Sequence, residues 1–259
     1  MLNEGQKIEL AALVKLNLDR AETIWNKVGH EFAEAMAMDE SMLLKKAETL
    51  PSMIPGHELV SDIRPTVDQF IAFVADMRDS SKHLLNAISV KTAKVSQLQR
   101  VFYETSALLP ALAKTVQYEN GQVTEYLGDG VLALFLVNEE DRAKSIYDSY
   151  NATENCITET KKIVNAELDN RYSLPDLDIG VGLSFSKAIV TLVGLQNEKH
   201  PKVIGECVYR ASKLSAGRNE IYIDNQLKAL WPKKKDGVLK FVSKSIRGVD
   251  GYLAKESSS

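Results

Sequence analysis

The sequence predicts an α/β sandwich, in which helices cover a mixed β-sheet, and three observations lead to this fold class. Segments with helical spacing of apolar residues alternate with strand-like apolar runs and hairpins along most of the chain. The length of 259 residues is enough for one large domain or for one domain plus an appendage. The composition, 44% hydrophobic and 26% charged, is ordinary for a globular protein. We therefore expect one sheet-based domain after a helical N-terminal segment.

Residues 1–50 form the predicted helical N-terminal segment. Apolar residues recur at helical spacing through 5–48, in two groups: Leu10, Leu13, Val14, Leu16, Leu18 and Ile24, then Phe32, Ala35, Met36, Leu43 and Leu44. Prolines at positions 51, 55 and 65 then interrupt helical continuity. We interpret residues 51–65 as a joint to the main domain, which is predicted to span 66–255.

The main domain is predicted to alternate strands and helices. It opens with "QFIAFVAD" (69–76), a continuous apolar run typical of a central strand. Polar residues that favour a helix N-terminus follow in "DSSKHLLNAI", and a second helix is predicted over 92–116. The remaining predicted elements are a hairpin around Asp129, a long helix from about 139 to 167, two strands within 177–194, a helix near 206–217, and strands at "EIYID" and "LKFVS".

Charge and cysteine content argue against several classes of protein. The net charge of −3 offers no basic face for nucleic acid or anionic lipid. Cys156 and Cys207 stand in unrelated contexts, which disfavours a disulfide scaffold or a thiolate zinc site, and the four histidines lack metal-ligand spacing. There is no signal-peptide pattern, and no apolar run approaches the ~20 residues of a membrane span. We expect a soluble, cytoplasmic protein.

Two acidic residues sit where strands of the predicted sheet end. Asp76 ends the first apolar strand, and Asp129 lies between two glycines in "EYLGDGVLALF". If the two strands are neighbours, both carboxylates project at one edge of the sheet, and without a nearby base they repel each other unless a cation lies between them. Oxygen ligands favour hard cations such as Mg²⁺ or Mn²⁺, which keep positions open for substrate phosphates. The segment "MRDSS" then opens a helix whose free backbone N–H groups suit phosphate oxygens.

Each of these features has a simpler interpretation when taken alone. A Gly-Asp-Gly turn is a common hairpin, and an aspartate at a strand end is often a helix cap. Their occurrence together, before a helix start, is what indicates a metal site. No Walker-type loop is present, which disfavours P-loop chemistry.

Four segments in order resemble the class III nucleotidyl cyclases. "FVADMRDSS" is similar to the first metal-binding strand of that family, and "EYLGDGVLALF" to its hairpin with the second metal-binding aspartate. "IGVGLSFSKAIVTLVG" resembles the glycine-rich strand pair, and "GECVYRASKLSAG" the helix that bears transition-state residues. The resemblance covers about residues 66–254 and implies a mainly antiparallel sheet.

The resemblance also implies a mechanism. Asp76 and Asp129, with the backbone carbonyl of Met77, would hold two divalent cations, Mn²⁺ or Mg²⁺. The ribose 3′-hydroxyl of a nucleoside triphosphate would attack the α-phosphorus, and pyrophosphate would leave as the 3′,5′-cyclic nucleotide forms. Arg78, Asp79, Ser80 and Ser81 would contact the substrate. Sites of this family lie between two subunits, which implies a homodimer with two composite sites.

The residues at the family's base-reading positions differ from those of adenylate cyclases. Glu125 stands where adenylate-forming members usually carry lysine, and Lys202 where they carry aspartate. A glutamate accepts hydrogen bonds and a lysine donates them, so guanine, uracil and cytosine remain possible bases. Tyr209 replaces the usual ribose-orienting asparagine, and Lys213 replaces a transition-state arginine whose charge it keeps without the bidentate fork. Arg210, on the same predicted helix, would compensate for the missing bidentate fork.

These departures, with the helical N-terminal segment, resemble the bacterial pyrimidine cyclases of the Pycsar anti-phage systems. Such enzymes make cyclic UMP or cyclic CMP, which activates a separate effector. Tyr126 and Tyr209 would exclude the second ring of a purine, although plain packing also explains either tyrosine alone. Near the C-terminus, Lys244 and Arg247 in "KSIRGVDGYL" are the candidates for the family's phosphate-binding lysine.

Five functions therefore follow as hypotheses. The first is a uridylate cyclase, and cytidylate and guanylate cyclases are its alternatives within the family. Another class is a catalytically silent module that binds nucleotide and signals through its helical segment. The last is a structural scaffold in which the paired acids form a solvated edge. The presence of both Asp76 and Asp129 favours an active enzyme over the last two.

Overall fold

The computed structural model describes residues 2–28, 49–61, 65–85, 95–195, 198–233 and 239–256. Its helices are α1 (Glu4–Val28), α2 (Ser80–Leu85), α3 (Gln97–Tyr118), α4 (Arg142–Asn155), α5 (Lys161–Tyr172), α6 (Glu206–Leu214) and α7 (Asn225–Leu230), with a π-helical turn at Cys156–Thr160. Its strands are β1 (Thr49–Ile54), β2 (His57–Ser61), β3 (Thr66–Met77), β4 (Gln122–Tyr126), β5 (Gly130–Leu136), β6 (Ile179–Leu195), β7 (Glu198–Gly205), β8 (Ile221–Asp224), β9 (Leu239–Ile246) and β10 (Val249–Glu256).

Within these residues, one eight-stranded sheet organises the fold. Its strand order is β4-β5-β3-β6-β8-β10-β9, and β7 also pairs with β6. The β6–β8 pair is parallel, whereas β3 is antiparallel to both of its neighbours. This arrangement confirms the mixed, mainly antiparallel sheet flanked by helices that the sequence predicted.

The central strand β3 is apolar throughout because both of its faces are covered. Ile71, Phe73 and Ala75 face a layer of helices. The alternate residues, such as Phe70 and Val74, face a second cluster on the opposite side. Alternation along a strand sends successive side chains to opposite faces, so a strand between two layers shows a continuous apolar run.

The N-terminal helix α1 belongs to the helix layer. Leu10, Val14 and Leu18 are fully buried there, and α1 packs against α3 and α5. Arg171 on α5 forms ion pairs with two acidic residues of α1, of which the contact to Asp19 measures 2.7 Å. The predicted helices in 29–48 lie outside the described residues.

The other face of the sheet is covered by α6 and by the β1–β2 hairpin. Ile54 and Val60 from the hairpin are buried beside Cys207 and Ala211 from α6. The sequence analysis interpreted residues 51–65 only as a joint, because prolines are uncommon in strands and their presence argued against the two short strands found here. Gly56 makes the turn with a positive φ of 78°, and a Cβ there would lie 2.8 Å from the Leu136 side chain.

Two other predicted elements differ from the structure. Residues 177–194, predicted as two strands, form most of the single strand β6, and its hairpin partner β7 was not predicted. Within β6, the Ser184 hydroxyl donates to buried Asp224 at 2.7 Å, which gives this polar side chain a partner inside the strand. The predicted long helix is divided into α4, the π-helical turn and α5, which ends at Tyr172.

Two further features concern the helices and the cysteines. No helix in the described part of the chain is long and apolar enough to cross a membrane. Cys156 and Cys207 are both buried and free.

Close packing of α6 on β6 depends on glycine. A Cβ at Gly182 would overlap the carbonyl oxygen of Ala211 and lie 2.6 Å from the amide nitrogen of Ser215. Both atoms belong to backbone, so they cannot move aside as a flexible side chain would. The glycines of β6 therefore set how closely α6, which carries Tyr209 and Lys213, approaches the sheet.

We expect Gly182→Ala to lower the free energy of unfolding by about 1–3 kcal/mol, because the added methyl group overpacks the contact between α6 and β6. Chemical denaturation monitored by circular dichroism measures this change. Gly5→Ala, in α1 with only a side-chain oxygen 3.3 Å from the added Cβ, is the matched control. A helix favours alanine over glycine by up to about 1 kcal/mol, so the control should match or exceed wild-type stability. Equal stability of the two variants would contradict the packing argument.

Candidate active site

The structure brings Asp76 and Asp129 together at one edge of the sheet. Strands β3 and β5 are antiparallel neighbours, and Asp76 pairs with Gly130. The Met77 amide donates to the carbonyl oxygen of Asp129 at 3.0 Å, which fixes the β4–β5 turn against the end of β3. A Cβ at Gly130 would overlap the carbonyl oxygen of Ala75, so the approach requires glycine. The glycines around Asp129 thus allow a carboxylate to stand beside a second one.

The electrostatics of this pair favour a bound cation. Burial raises the pKa of Asp76 to about 6, the Arg78 guanidinium opposes that shift, and the nearby Asp129 carboxylate adds to it. Arg78 forms an ion pair with Asp76, so the structure does supply the nearby base that the sequence analysis took to be absent. The Ser80 hydroxyl donates to the Asp129 carboxylate. Because the Asp76 pKa stays raised despite Arg78, further positive charge would stabilise the ionised pair.

The donor set fits a divalent cation whose coordination is completed by substrate. Among the described residues, no group of three or more histidine, cysteine, aspartate or glutamate side chains is arranged to hold a metal. Two carboxylates leave most positions of an octahedral ion open, as in sites where Mg²⁺ or Mn²⁺ also binds substrate phosphates. Asp76 and Asp129 therefore fit a cation whose remaining ligands come from elsewhere better than a structural metal centre held by protein side chains alone.

An open cleft of about 320 Å³ lies at the two carboxylates. Its lining comprises Asp76, Met77, Arg78, Asp79, Ser80, Ser81, Lys82, Asp129 and Arg247. Arg247 is at the tip of the β9–β10 hairpin, with a positive φ of 47°, whereas Lys244 is exposed on β9. Of the two basic residues predicted near the C-terminus, the structure places Arg247 in the cleft.

Asp79 is engaged by cations of its own chain. It has a positive φ of 61°, and it pairs with Lys82 at 2.6 Å and with Arg218. Those two partners lower the pKa of Asp79 to about 2. Arg218 also contacts Asp178. The sequence analysis missed Arg218, which follows α6 and reaches this loop only through the fold.

The two predicted base-reading residues meet in the folded chain. Glu125 on β4 and Lys202 on β7 form an ion pair with 2.6 Å between Oε2 and Nζ. Strand β4 is irregular between Val123 and Glu125, where its register with β5 shifts. Strands β4 and β7 are distant in sequence, and both pack against β1.

Helix α6 presents the remaining candidates. Tyr209 is 63% exposed, and the Lys213 Nζ lies 5.4 Å from the centroid of its ring. Arg210 is within 3.6 Å of Glu206. Tyr126 on β4 is 60% exposed. Plain core packing therefore does not explain either tyrosine.

Comparison with known proteins identifies the fold. No protein-family model matches the chain, and comparison with curated proteins finds no match. Among solved structures, the guanylyl cyclase Cya2 is 14% identical with a TM-score of 0.59, over 73% of this chain and 90% of that one. The adenylyl cyclase CyaB from P. aeruginosa is 17% identical with a TM-score of 0.59, over 75% and 97%. A class III adenylyl cyclase-like ATP-binding protein from Pseudomonas aeruginosa is 18% identical with a TM-score of 0.55, over 67% of this chain and 37% of that protein. The chain thus has the fold of the class III nucleotidyl cyclases.

Proposed function

We propose that the protein is a nucleotidyl cyclase that converts a nucleoside triphosphate to its 3′,5′-cyclic monophosphate and pyrophosphate. The observation that carries this proposal is the pairing of Asp76 and Asp129 on neighbouring strands of a cyclase fold, in a cleft that also contains Arg247. The ribose 3′-hydroxyl, a neutral nucleophile, needs activation, and the triphosphate needs its negative charge neutralised. Cations held by Asp76 and Asp129, together with Arg247, are suited to both tasks.

Asp76 and Asp129 are the residues that would hold two divalent cations, Mn²⁺ or Mg²⁺, with the carbonyl of Met77 as the further proposed ligand. Such cations lower the pKa of a bound hydroxyl and neutralise phosphate charge. Arg247 offers a cation to the triphosphate from the same cleft. Arg78 is paired with Asp76 and Asp79 with Arg218, so we assign these two to shaping the loop, whereas Ser80 and Ser81 remain candidate substrate contacts.

The division of the candidates into two groups supports a homodimer with composite sites. The metal-binding group lines the cleft beside Arg247, whereas Glu125, Lys202, Tyr209 and Lys213 lie on β4, β7 and α6. The exposed Tyr126 and Tyr209 leave apolar area available for a ligand or a second subunit. In the proposed dimer, one subunit supplies the carboxylates and its partner supplies the base-reading and transition-state residues. This arrangement assembles both groups around one nucleotide.

For the substrate we propose UTP. Uracil presents one ring N–H between two carbonyl oxygens, so Glu125 would accept from N3–H and Lys202 would donate to a neighbouring carbonyl. Cytosine has a lone pair at N3, which would face the Glu125 carboxylate. An unpaired buried polar group costs ~1–3 kcal/mol, or roughly ten- to a hundredfold in discrimination. Guanine matches the hydrogen-bond pattern of uracil, so we assign its exclusion to the size of Tyr126 and Tyr209.

The proposed biological role is a second messenger in anti-phage defence. The cyclic UMP product would act in the cytoplasm on a separate effector that recognises it. This role is inferred from the resemblance to pyrimidine cyclases, in particular from Glu125 and Lys202 at the base-reading positions and from Tyr209 in place of asparagine.

A silent nucleotide-binding module is the second candidate function. Tyr209 and Lys213 replace residues that the family uses to orient ribose and stabilise the transition state. One structural neighbour is itself described as an ATP-binding protein with a class III adenylyl cyclase-like fold. Such a module has no need of a metal-binding acid pair, so Asp76 and Asp129 favour catalysis.

We expect UTP to be the best of the four ribonucleoside triphosphates. Purified protein is incubated with each triphosphate and Mn²⁺, and the products are identified by mass spectrometry. The kcat/KM for UTP should exceed that for CTP by roughly tenfold or more, because CTP leaves Glu125 facing a lone pair. Tyr209→Ala should raise the relative use of GTP by enlarging the base site. A wild-type preference for GTP would indicate a guanylate cyclase, and nucleotide binding without any cyclic product would indicate the silent module.

A further inference from the structure

A buried charge network on α3 contacts α2, the short helix whose first residues line the cleft. Glu104 on α3 is fully buried, and its Oε1 accepts a hydrogen bond from the Arg100 Nε at 2.6 Å. Arg100, one turn earlier on the same helix, is also buried. A buried carboxylate is unfavourable unless it is paired, and Arg100 provides that pairing within α3 itself.

Glu104 also contacts a second residue, His83, although Arg100 already balances its charge. Its second oxygen, Oε2, lies 2.9 Å from Nδ1 of His83 on α2. The backbone amide of His83 donates to the carbonyl oxygen of Asp79 at 3.0 Å. Helix α2 has only six residues, too few to be stable without tertiary contacts. The contact from buried Glu104 to His83 therefore helps to fix the position of α2, which is too short to be stable by itself.

The opposite end of α2 reaches the metal-binding group. Ser80 is its first residue, and the Ser80 hydroxyl donates to the Asp129 carboxylate. A continuous series of contacts thus runs from Arg100 through Glu104 and His83 into α2, and from Ser80 to Asp129.

We propose that Glu104, acting through His83, positions α2 so that Ser80 orients the carboxylate of Asp129 for cation binding. His83 and Glu104 are positioning residues, because neither lines the cleft and both act through α2. The proposal rests on the proposed function for the identity of the metal centre, but it concerns cation affinity rather than turnover. Partners that orient a metal ligand commonly change metal affinity by about 10- to 100-fold when removed.

The test compares His83→Ala with a matched control. His83→Ala removes the link to α2 and leaves the Arg100–Glu104 pair intact, so the buried charges stay compensated. His57→Ala is the control, because His57 also pairs with a carboxylate, that of Asp68, at 2.8 Å, and its side chain is similarly buried, 12% exposed against 15% for His83. Mn²⁺ binding is measured by electron paramagnetic resonance, with and without 3′-deoxy-UTP, which cannot cyclise.

His83→Ala is expected to weaken Mn²⁺ binding about tenfold, and His57→Ala to leave it at the wild-type value. His83→Asn, whose amide can still donate to Glu104, should recover most of the affinity. His83→Ala should unfold at a lower denaturant concentration than His57→Ala, because it leaves an oxygen of the fully buried Glu104 without this partner, whereas Asp68 is 48% exposed. Mn²⁺ binding is therefore compared under conditions in which chemical denaturation shows both variants to be fully folded. In turnover assays, His83→Ala should raise the Mn²⁺ concentration needed for half-maximal rate, with a smaller change in kcat.

The outcomes separate this proposal from the proposed function. Wild-type Mn²⁺ affinity in His83→Ala would overturn the positioning role, and so would equal weakening in His57→Ala or no recovery in His83→Asn. Cation binding that depends on His83 in a protein that forms no cyclic nucleotide would uphold the positioning role and overturn the cyclase proposal. A wild-type protein that binds no Mn²⁺ in either condition would overturn both.

Discussion

Replacing Asp129 by asparagine is expected to reduce kcat about a thousandfold, which corresponds to roughly 4 kcal/mol of transition-state stabilisation. The substitution keeps the shape of the side chain and an oxygen that can accept from Ser80, but it removes one of the two charges that would hold the cations. The free energy of unfolding should not fall, because the Asp129 carboxylate is among the groups that raise the pKa of Asp76 in the folded protein. Removing that charge relieves a repulsion. Product formation by mass spectrometry and chemical denaturation measure the two quantities.

Asp148→Asn is the control for this experiment. Asp148 is a carboxylate on α4 that pairs with Lys144 at 2.5 Å, so the substitution removes a comparable charge outside the cleft. Wild-type turnover is expected for Asp148→Asn. If Asp129→Asn retained more than about a tenth of wild-type kcat at saturating Mn²⁺, the assignment of Asp129 as a metal ligand would be wrong, since loss of a ligand charge costs several kcal/mol.

Mixing Asp129→Asn with Lys213→Ala is expected to restore activity that neither variant has alone. If the active site is composite, each heterodimer contains one site with intact carboxylates from one subunit and an intact Lys213 from the other. Random pairing of equal amounts makes half of the dimers heterodimers with one working site of two, or about a quarter of wild-type activity. Lys213→Ala alone should be inactive because it removes the cation proposed to stabilise the transition state.

Subunit exchange must be verified for this result to be interpreted. Native mass spectrometry of differently tagged variants shows whether heterodimers form. Heterodimers without recovered activity would place the carboxylates and Lys213 of a working site in the same subunit. A protein that remains monomeric yet turns over substrate would lead to the same conclusion.

The placement of Asp76 and Asp129 at one edge of the sheet could be predicted because each aspartate has a local sequence signal. Asp129 is flanked by glycines that allow the close turn, and Asp76 ends an apolar run, so strand pairing alone brings them together. Hydrophobic patterning likewise predicted a mixed sheet and most of its strands, and the family resemblance implied that the sheet is mainly antiparallel. The strand ends and the turn depend on neighbours within a few residues along the chain, whereas the pairing of β3 with β5 joins distant segments.

The features that sequence reasoning missed depend on contacts between distant segments. The β1–β2 hairpin lies in a proline-containing stretch with few apolar residues. Those residues become buried only when the hairpin packs on the sheet. Arg218 reaches Asp79 across 139 positions, and His83 reaches Glu104 across 21. Nothing in the residues around Arg218 or Glu104 distinguishes them from an ordinary surface arginine or helix glutamate. Only the tertiary structure supplies such pairings.

The Glu125–Lys202 ion pair means that the two residues proposed to read the base are already paired with each other before any nucleotide binds. Each charge therefore has a partner of opposite sign in the ligand-free protein, in a pair that is still partly exposed to solvent. Base recognition then requires that the incoming base replace the Glu125–Lys202 contact with one hydrogen bond to each side chain. A base that offers only a donor or only an acceptor leaves one side chain without its former partner. Selectivity would thus arise from competition between the base and the protein's own side chains.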